Sequence, residues 1–209
     1  MVQERESQFG LDQLDLLSDL GVSTVKATKQ KYCPRIPLED ASAFKGDKRN
    51  FPNTLLIVDT ETTGLDPESD RCLEVGVVLF YVPKRTVLAQ HSFLLPVSSN
   101  QAERINHISA DVTRIKQPWQ EALLYFKSLV ESSDLLVAHN VAFDKQWFGK
   151  APLPQLDKPW ICTMEDIIWP SDRNLRSTPS VRDLALAYEI PVWSAHRALT
   201  DCIYLAEVF

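Results

Sequence analysis

Thr54-Leu55-Leu56-Ile57-Val58 runs without interruption into Asp59-Thr60-Glu61-Thr62-Thr63-Gly64-Leu65. The short apolar run predicts a central strand of an α/β sheet, buried on both faces. Asp59 and Glu61 stand two residues apart at its end, and the period of two in a strand sends both carboxylates to one face. Two carboxylates so placed repel each other unless a cation lies between them. The simpler alternative is a strand-end acid beside a turn or helix cap. Gly64 after Thr62-Thr63 predicts a tight turn.

Outward from this strand the pattern stays α/β. Cys72 to Tyr81 and Thr86 to Leu95 are β-rich runs, joined by a hairpin through Val82-Pro83-Lys84-Arg85. Pro118 to Val130 reads as a helix, with proline at its start and Ala122, Leu123, Phe126 and Val130 on one face. Leu135-Leu136-Val137-Ala138 is a fourth strand, and Asn140 is placed to cap a helix running through Phe143 to Phe148. Trp160-Ile161-Cys162-Thr163 is a fifth strand. Helices follow at about Ser180 to Glu189 and Arg197 to Val208.

Two more islands carry ionisable groups. His139-Asn140-Val141-Ala142-Phe143-Asp144 puts an aspartate in the first turns of the capped helix. An acid there also suits the helix dipole with no further role. His139 reads as a strand-end histidine satisfied by hydrogen bonds. In His196-Arg197-Ala198-Leu199-Thr200-Asp201 the histidine and aspartate are five residues apart, roughly 500° on a helix. They do not share a face if both are helical. His196 therefore belongs in the loop before the helix and Asp201 one turn inside it. Imidazole changes charge near neutral pH, which suits a general base; a surface histidine beside an exposed acid is the alternative.

Taken in this order, the three islands resemble the DEDD exonucleases of the DnaQ type, in the branch whose general base is histidine. Val58 to Leu65 matches that family's first motif, His139 to Asp144 its second and His196 to Asp201 its third. The sister branch carries tyrosine four residues before the last aspartate. That position here is Arg197, and the histidine position is filled. A three-stranded meander followed by alternating helix and strand is the order of the ribonuclease-H-like fold, a mixed five-stranded sheet flanked by helices. The resemblance implies that Asp59, Glu61, Asp144 and Asp201 hold two Mg²⁺ or Mn²⁺ ions. It implies that His196 takes the proton of an attacking water and that nucleoside monophosphates are released from a 3′ end. Glu61 would also meet the terminal 3′-hydroxyl. Thr62, Gly64 and Leu65 would border the last nucleotide, with Leu65 and Phe143 against its bases and Asn140 packing to position Asp144. Ile105-Asn106-His107-Ile108-Ser109 resembles the family's Ile-His-Gly-Ile-Thr segment near the 3′-terminal nucleotide, with Asn106 and His107 replacing His and Gly. His107 is thus a candidate substrate contact; a connector packing Ile105 and Ile108 into the core is the alternative.

The resemblance covers roughly residues 53–209. Residues 1–50 differ: 1–21 hold one basic residue and five acidic ones, whereas 22–50 hold seven basic and three acidic. They are expected to form an arm, a short helix followed by an irregular basic linker, with the exonuclease-like domain over 51–209. Within the arm, Gln13-Leu14-Asp15-Leu16-Leu17 looks like the peptide by which bacterial replication and repair proteins bind the sliding clamp. Leu11, Leu14, Leu17 and Leu20 equally fit an amphipathic helix packed on the body. The clamp-type peptide favours DNA over RNA as substrate, with proofreading or repair as the role. RNA 3′-end trimming and a non-catalytic binding scaffold are the alternatives, and four converging carboxylates have no use in a scaffold.

Bulk properties agree. A chain of 209 residues with 44% hydrophobic and 24% charged content supports one substantial domain with an appendage. No apolar run approaches the ~20 residues of a membrane span. The start, Met1-Val2-Gln3-Glu4-Arg5-Glu6, has no apolar signal core. A cytoplasmic protein is expected. The net charge of −6 argues against tight non-specific duplex binding but suits clustered metal-binding acids. Cys33, Cys72, Cys162 and Cys202 lack zinc-type spacing, and the last three read as core side chains.

Overall fold

Leu55, Leu56, Ile57 and Val58 are all buried, as a strand covered on both faces requires. They lie in β1 (Thr54–Thr62) of a computed structural model that describes residues 52–194 and 196–209. The expected arm and its Gln13–Leu17 peptide fall outside the described residues, as does Cys33.

β1 is the middle of five strands. β2 (Cys72–Tyr81) and β3 (Thr86–Leu94) form the antiparallel meander on one side, joined by a 3₁₀ turn at Val82–Lys84. β4 (Leu135–Ala138) and β5 (Trp160–Cys162) add in parallel on the other, giving the order β3-β2-β1-β4-β5. This is the mixed five-stranded sheet expected of a ribonuclease-H-like fold. Two short helices, α1 (Glu103–Asn106) and α2 (Ala110–Thr113), precede α3 (Trp119–Ser132). α4 (Val141–Lys145) follows β4, and α5 (Val181–Ala187) and α6 (Ala198–Val208) complete the described elements.

Alternation along β1 divides the core. Leu56 and Val58 pack with Leu123, Phe126 and Leu129 of α3 and with Trp147 and Phe148. Leu55 and Ile57 pack with Leu184 of α5 and Cys202, Leu205 and Val208 of α6. Asp59 and Glu61 continue the second series, so both carboxylates emerge on the α6 side.

Gly76 of β2 pairs with Asp59, and a Cβ there would run into the backbone of Ala198 and Leu199. Its missing side chain lets the N-terminus of α6 rest directly on the sheet beside Asp59. Cys202 Sγ seals the contact one turn later, within hydrogen-bond reach of the Gly76 carbonyl at 3.3 Å. Cys72, Cys162 and Cys202 are buried free thiols.

The structure departs from the helix expected through Phe143 to Phe148 and, at Ile105, from the alternative that packed it into the core. α4 stops at Lys145, and Asn140 makes no side-chain capping bond. Trp147 and Phe148 are both buried, which places two adjacent side chains in the core, and Gly149 then turns the chain at φ 86°. Ile108 is buried as a connector residue should be, but Ile105 is 57% exposed. At Gly64 the chain bends, and the Asp70 carboxylate lies where a Cβ would be. Asp70 is held there by the Thr63 hydroxyl at 3.2 Å and the Asp66 amide at 3.0 Å.

Candidate active site

Asp59, Glu61 and Asp201 each offer a carboxylate oxygen, and these lie within 4.8 Å of one another. The first two come from the end of β1, and Asp201 comes from the first turn of α6, which Gly76 allows onto the sheet. The pairing register shifts between Glu61 and Thr62, an irregularity of the kind that re-aims side chains at sites.

Asp144 is not in that 4.8 Å group, but of the neighbouring charges its carboxylate acts most on Asp59. It is buried, not solvated, and its Oδ1 accepts from the Thr60 amide at 3.0 Å and the Thr60 hydroxyl at 2.8 Å. Those bonds tie α4 to the end of β1. Thr60 is therefore a holder of the fourth acid that sequence reading passed over.

The acids resist ionisation together. Burial pushes Asp59 well above the usual carboxylate range, and the charges of Asp144, Asp201, Glu61 and Glu74 push it further. Glu61 is raised to about 8 by burial and by Asp201, Glu74 and Asp144, with Arg197 opposing. Burial raises Asp144 to about 7 against the pull of the Thr60 bonds. Asp201 is raised to about 6, mainly by burial. A cluster of hard oxygen donors whose ionisation is opposed by burial and by one another's charge fits divalent cations of the Mg²⁺ or Mn²⁺ type.

A stability consequence follows. The metal-free folded state binds more protons at these acids than the unfolded chain, whose carboxylates titrate near ~4. Stability from this source is complete below about pH 4 and is lost as pH rises through about 6 to 8, the range of Asp201, Asp144 and Glu61. A bound cation reverses the preference. The rise in melting temperature on adding Mn²⁺ to EDTA-treated protein is expected to be several degrees larger at about pH 8 than at about pH 5.5. Thermal scans across pH check this, and a rise independent of pH would show that the protons lie elsewhere.

Glu74 was not singled out from the sequence. It lies opposite Glu61 in the β1–β2 register, so two like charges face each other across strands. Arg197 answers this with a forked ion pair to Glu74, Nε to Oε2 at 3.1 Å and Nη2 to Oε1 at 2.8 Å. Glu74 Oε2 also accepts from the Ala198 amide at 3.1 Å, at the start of α6. The legible signal was an acid inside an otherwise apolar strand, since a buried carboxylate needs a partner.

His196 lies in the loop before α6, as its spacing required, exposed and in the left-handed region at φ 59°. Asp201 is one turn inside the helix. His139 is buried, with Nδ1 2.9 Å from the Thr163 hydroxyl and Nε2 2.7 Å from the Pro179 carbonyl. Burial lowers its pKa, so it is a neutral structural bolt.

The remaining candidates border the end of β1. Thr62 is buried and its hydroxyl donates to the Gly64 carbonyl at 2.6 Å, while Leu65 is 79% exposed. Asn106 is buried and donates to the Thr62 carbonyl at 3.0 Å, while its Oδ1 accepts from Asn100 and the Ile108 amide. It bolts α1 to β1, leaving His107 at the surface at φ 57°. Asn140 is exposed, and Phe143 is half-buried with its ring edge-on to Trp147.

A sequence model described as RNase_T: Exonuclease matches residues 56–209. The chain is 31% identical over 161 residues to a DNA polymerase III subunit epsilon of Treponema pallidum, covering 72% of each protein. It is also 31% identical over 178 residues to a DNA polymerase III PolC-type of Thermotoga maritima, covering 82% of this chain but only 12% of that protein. Among solved structures, exonuclease X in complex with 5′-overhanging duplex DNA aligns with a TM-score of 0.55 at 26% identity, over 74% of this chain and 87% of that one. The nuclease domain of 3′hExo, a DEDDh family member bound to rAMP, shares the fold with a TM-score of 0.59 at 15% identity, over 76% and 90%.

Proposed function

The chain belongs to the RNase_T exonuclease family and is a hydrolytic nuclease, and from that premise we propose that it removes nucleoside monophosphates from single-stranded 3′ ends of DNA. The observation that carries this reading is the convergence of Asp59, Glu61 and Asp201 within 4.8 Å, with Asp144 held against the same strand end by Thr60. Family membership implies divalent metal. Two ions of Mg²⁺ or Mn²⁺, when bound, supply Lewis acidity at the scissile phosphate.

The chain's own groups do the rest. Asp59, Glu61, Asp144 and Asp201 would hold the ions, and Glu61 would also orient the terminal 3′-hydroxyl. His196, exposed and bonded through its backbone to Asp201, accepts the proton of the attacking water. Leu65 and Phe143 offer apolar surfaces to the last bases, with Thr62, Gly64, His107 and Asn140 along the same rim.

DNA is favoured by the names of the relatives, DNA polymerase III subunits, and by the DNA held by exonuclease X. The rAMP in the 3′hExo structure keeps RNA trimming as the second reading. The proposal includes residues 1–50 as an arm whose Gln13–Leu17 peptide brings the site to a sliding clamp, and a cytoplasmic location. Among the described residues no helix is long and apolar enough to cross a membrane.

The test is a gel assay on 5′-labelled single-stranded DNA and RNA of one sequence, with Mg²⁺, Mn²⁺ or EDTA. A metal-dependent ladder shortening from the 3′ end, faster on DNA, is expected. A faster RNA ladder would move the assignment to RNA trimming, and no ladder on either would overturn it.

A further inference from the structure

Besides the hydrogen bond its own backbone gives the Asp201 carboxylate, the segment around His196 is tied down on both sides by Tyr204 and Glu74. Tyr204 is fully buried, two turns into α6. Its hydroxyl accepts from the Trp193 amide at 2.9 Å and the Ser194 amide at 3.1 Å, and donates to the Ser194 carbonyl at 2.8 Å. The Trp193 indole meets the Tyr204 ring edge-on at 4.9 Å between centroids. One buried oxygen therefore satisfies three backbone groups of the segment just before His196. On the other side Arg197 is forked onto Glu74, which also accepts from the Ala198 amide.

We propose that Tyr204 is a positioning residue for catalysis: its hydroxyl, working against the Glu74–Arg197 pair, holds His196 in its left-handed conformation beside the acids. The inference rests on His196 being the general base.

Three observations favour this role over simple core packing. A position that only filled space would be served by phenylalanine, since a buried hydroxyl must be paired, and here every bond the hydroxyl makes goes to this loop. His196 is exposed at φ 59°, a conformation costly for a residue with a side chain, so it persists only where its neighbours impose it. The side chain is exposed, so its position follows chiefly from that of its backbone. A displacement of about 1 Å in a catalytic group costs on the order of a hundredfold in rate.

Tyr204→Phe keeps the ring and removes only the oxygen. The experiment measures single-turnover cleavage of a 5′-labelled oligonucleotide at saturating Mn²⁺ by the full chain. Four proteins are compared: parent, Tyr204→Phe, His196→Ala and the double variant. The expected result is a loss of about ten- to a hundredfold from Tyr204→Phe in the parent, with substrate KM and the Mn²⁺-induced thermal shift retained. In the His196→Ala background the same change should cost no more than about twofold, because its effect runs through the imidazole. An equal loss in both backgrounds, or no loss in the parent, would overturn the proposal. If His196→Ala itself keeps the parental rate, the general-base assignment fails instead. Should Tyr204→Phe not fold, Trp193→Ala removes an exposed indole from the same tyrosine and must show the same background-dependent loss.

Discussion

Asp59→Asn is expected to abolish turnover without weakening the metal-free protein. The substitution keeps the shape of the side chain and replaces an acid whose ionisation is opposed by burial and by the carboxylates of Asp144, Asp201, Glu61 and Glu74. In EDTA at about pH 8 the melting temperature should therefore be equal to or higher than that of the parent, since folding no longer has to protonate this acid or bury its charge. With Mn²⁺ the order reverses: the parent gains stability by ligand linkage and the variant gains little. Cleavage should fall by about three orders of magnitude or more, because a metal ion contributes several kcal/mol of transition-state charge stabilisation and each ~1.4 kcal/mol is tenfold. Opposite signs in EDTA and in Mn²⁺ separate a ligand from a structural acid. A variant that melts lower in both would mark Asp59 as part of the scaffold. This is the stability–function trade familiar at sites built from groups that repel one another.

His196→Ala is expected to lower the single-turnover rate by about 10²- to 10⁴-fold, the usual contribution of a positioned general base. The Mn²⁺-induced rise in melting temperature should be unchanged. His196 is exposed, and it is not among the three groups whose oxygens lie within 4.8 Å. The pair of results is what identifies the role: a lost metal ligand would lower both quantities, whereas a lost base lowers only the rate. Full activity in His196→Ala at neutral pH would remove histidine from the mechanism and return the base function to solvent or to another group.

Much of this protein is written locally. The run Leu55–Val58 declares a strand buried on both faces, and period two then determines that Asp59 and Glu61 share one of them. A spacing of five denies His196 and Asp201 a shared helical face, which places the histidine in a loop and the aspartate in the helix. The same alternation gives the meander, and the apolar stripe gives α3. Each of these depends on neighbours in the chain, which is why each could be read from it. The resemblance to a known motif set was legible for the same reason, since its acids sit in three contiguous strings.

What only the tertiary structure decided are relations between residues far apart in the chain. Gly76 reads as an unremarkable glycine in a strand until α6 is found lying on it. Glu74 and Arg197 are 123 residues apart, and no spacing rule joins them. Asn106 replaces a family histidine and turns out to be a bolt to the Thr62 carbonyl, while its neighbour Ile105, placed in the core by the alternative reading, faces solvent. Asp144 looks like a helix-dipole acid until Thr60 is seen to hold it, 84 residues away. The sequence alone determines which side chains can do chemistry and which face of an element they leave from. Their separation is set by packing, because a carboxylate's distance from its partner depends on how closely two elements approach. Here that approach is governed by an absent Cβ at Gly76 and by the bonds of Glu74 and Thr60.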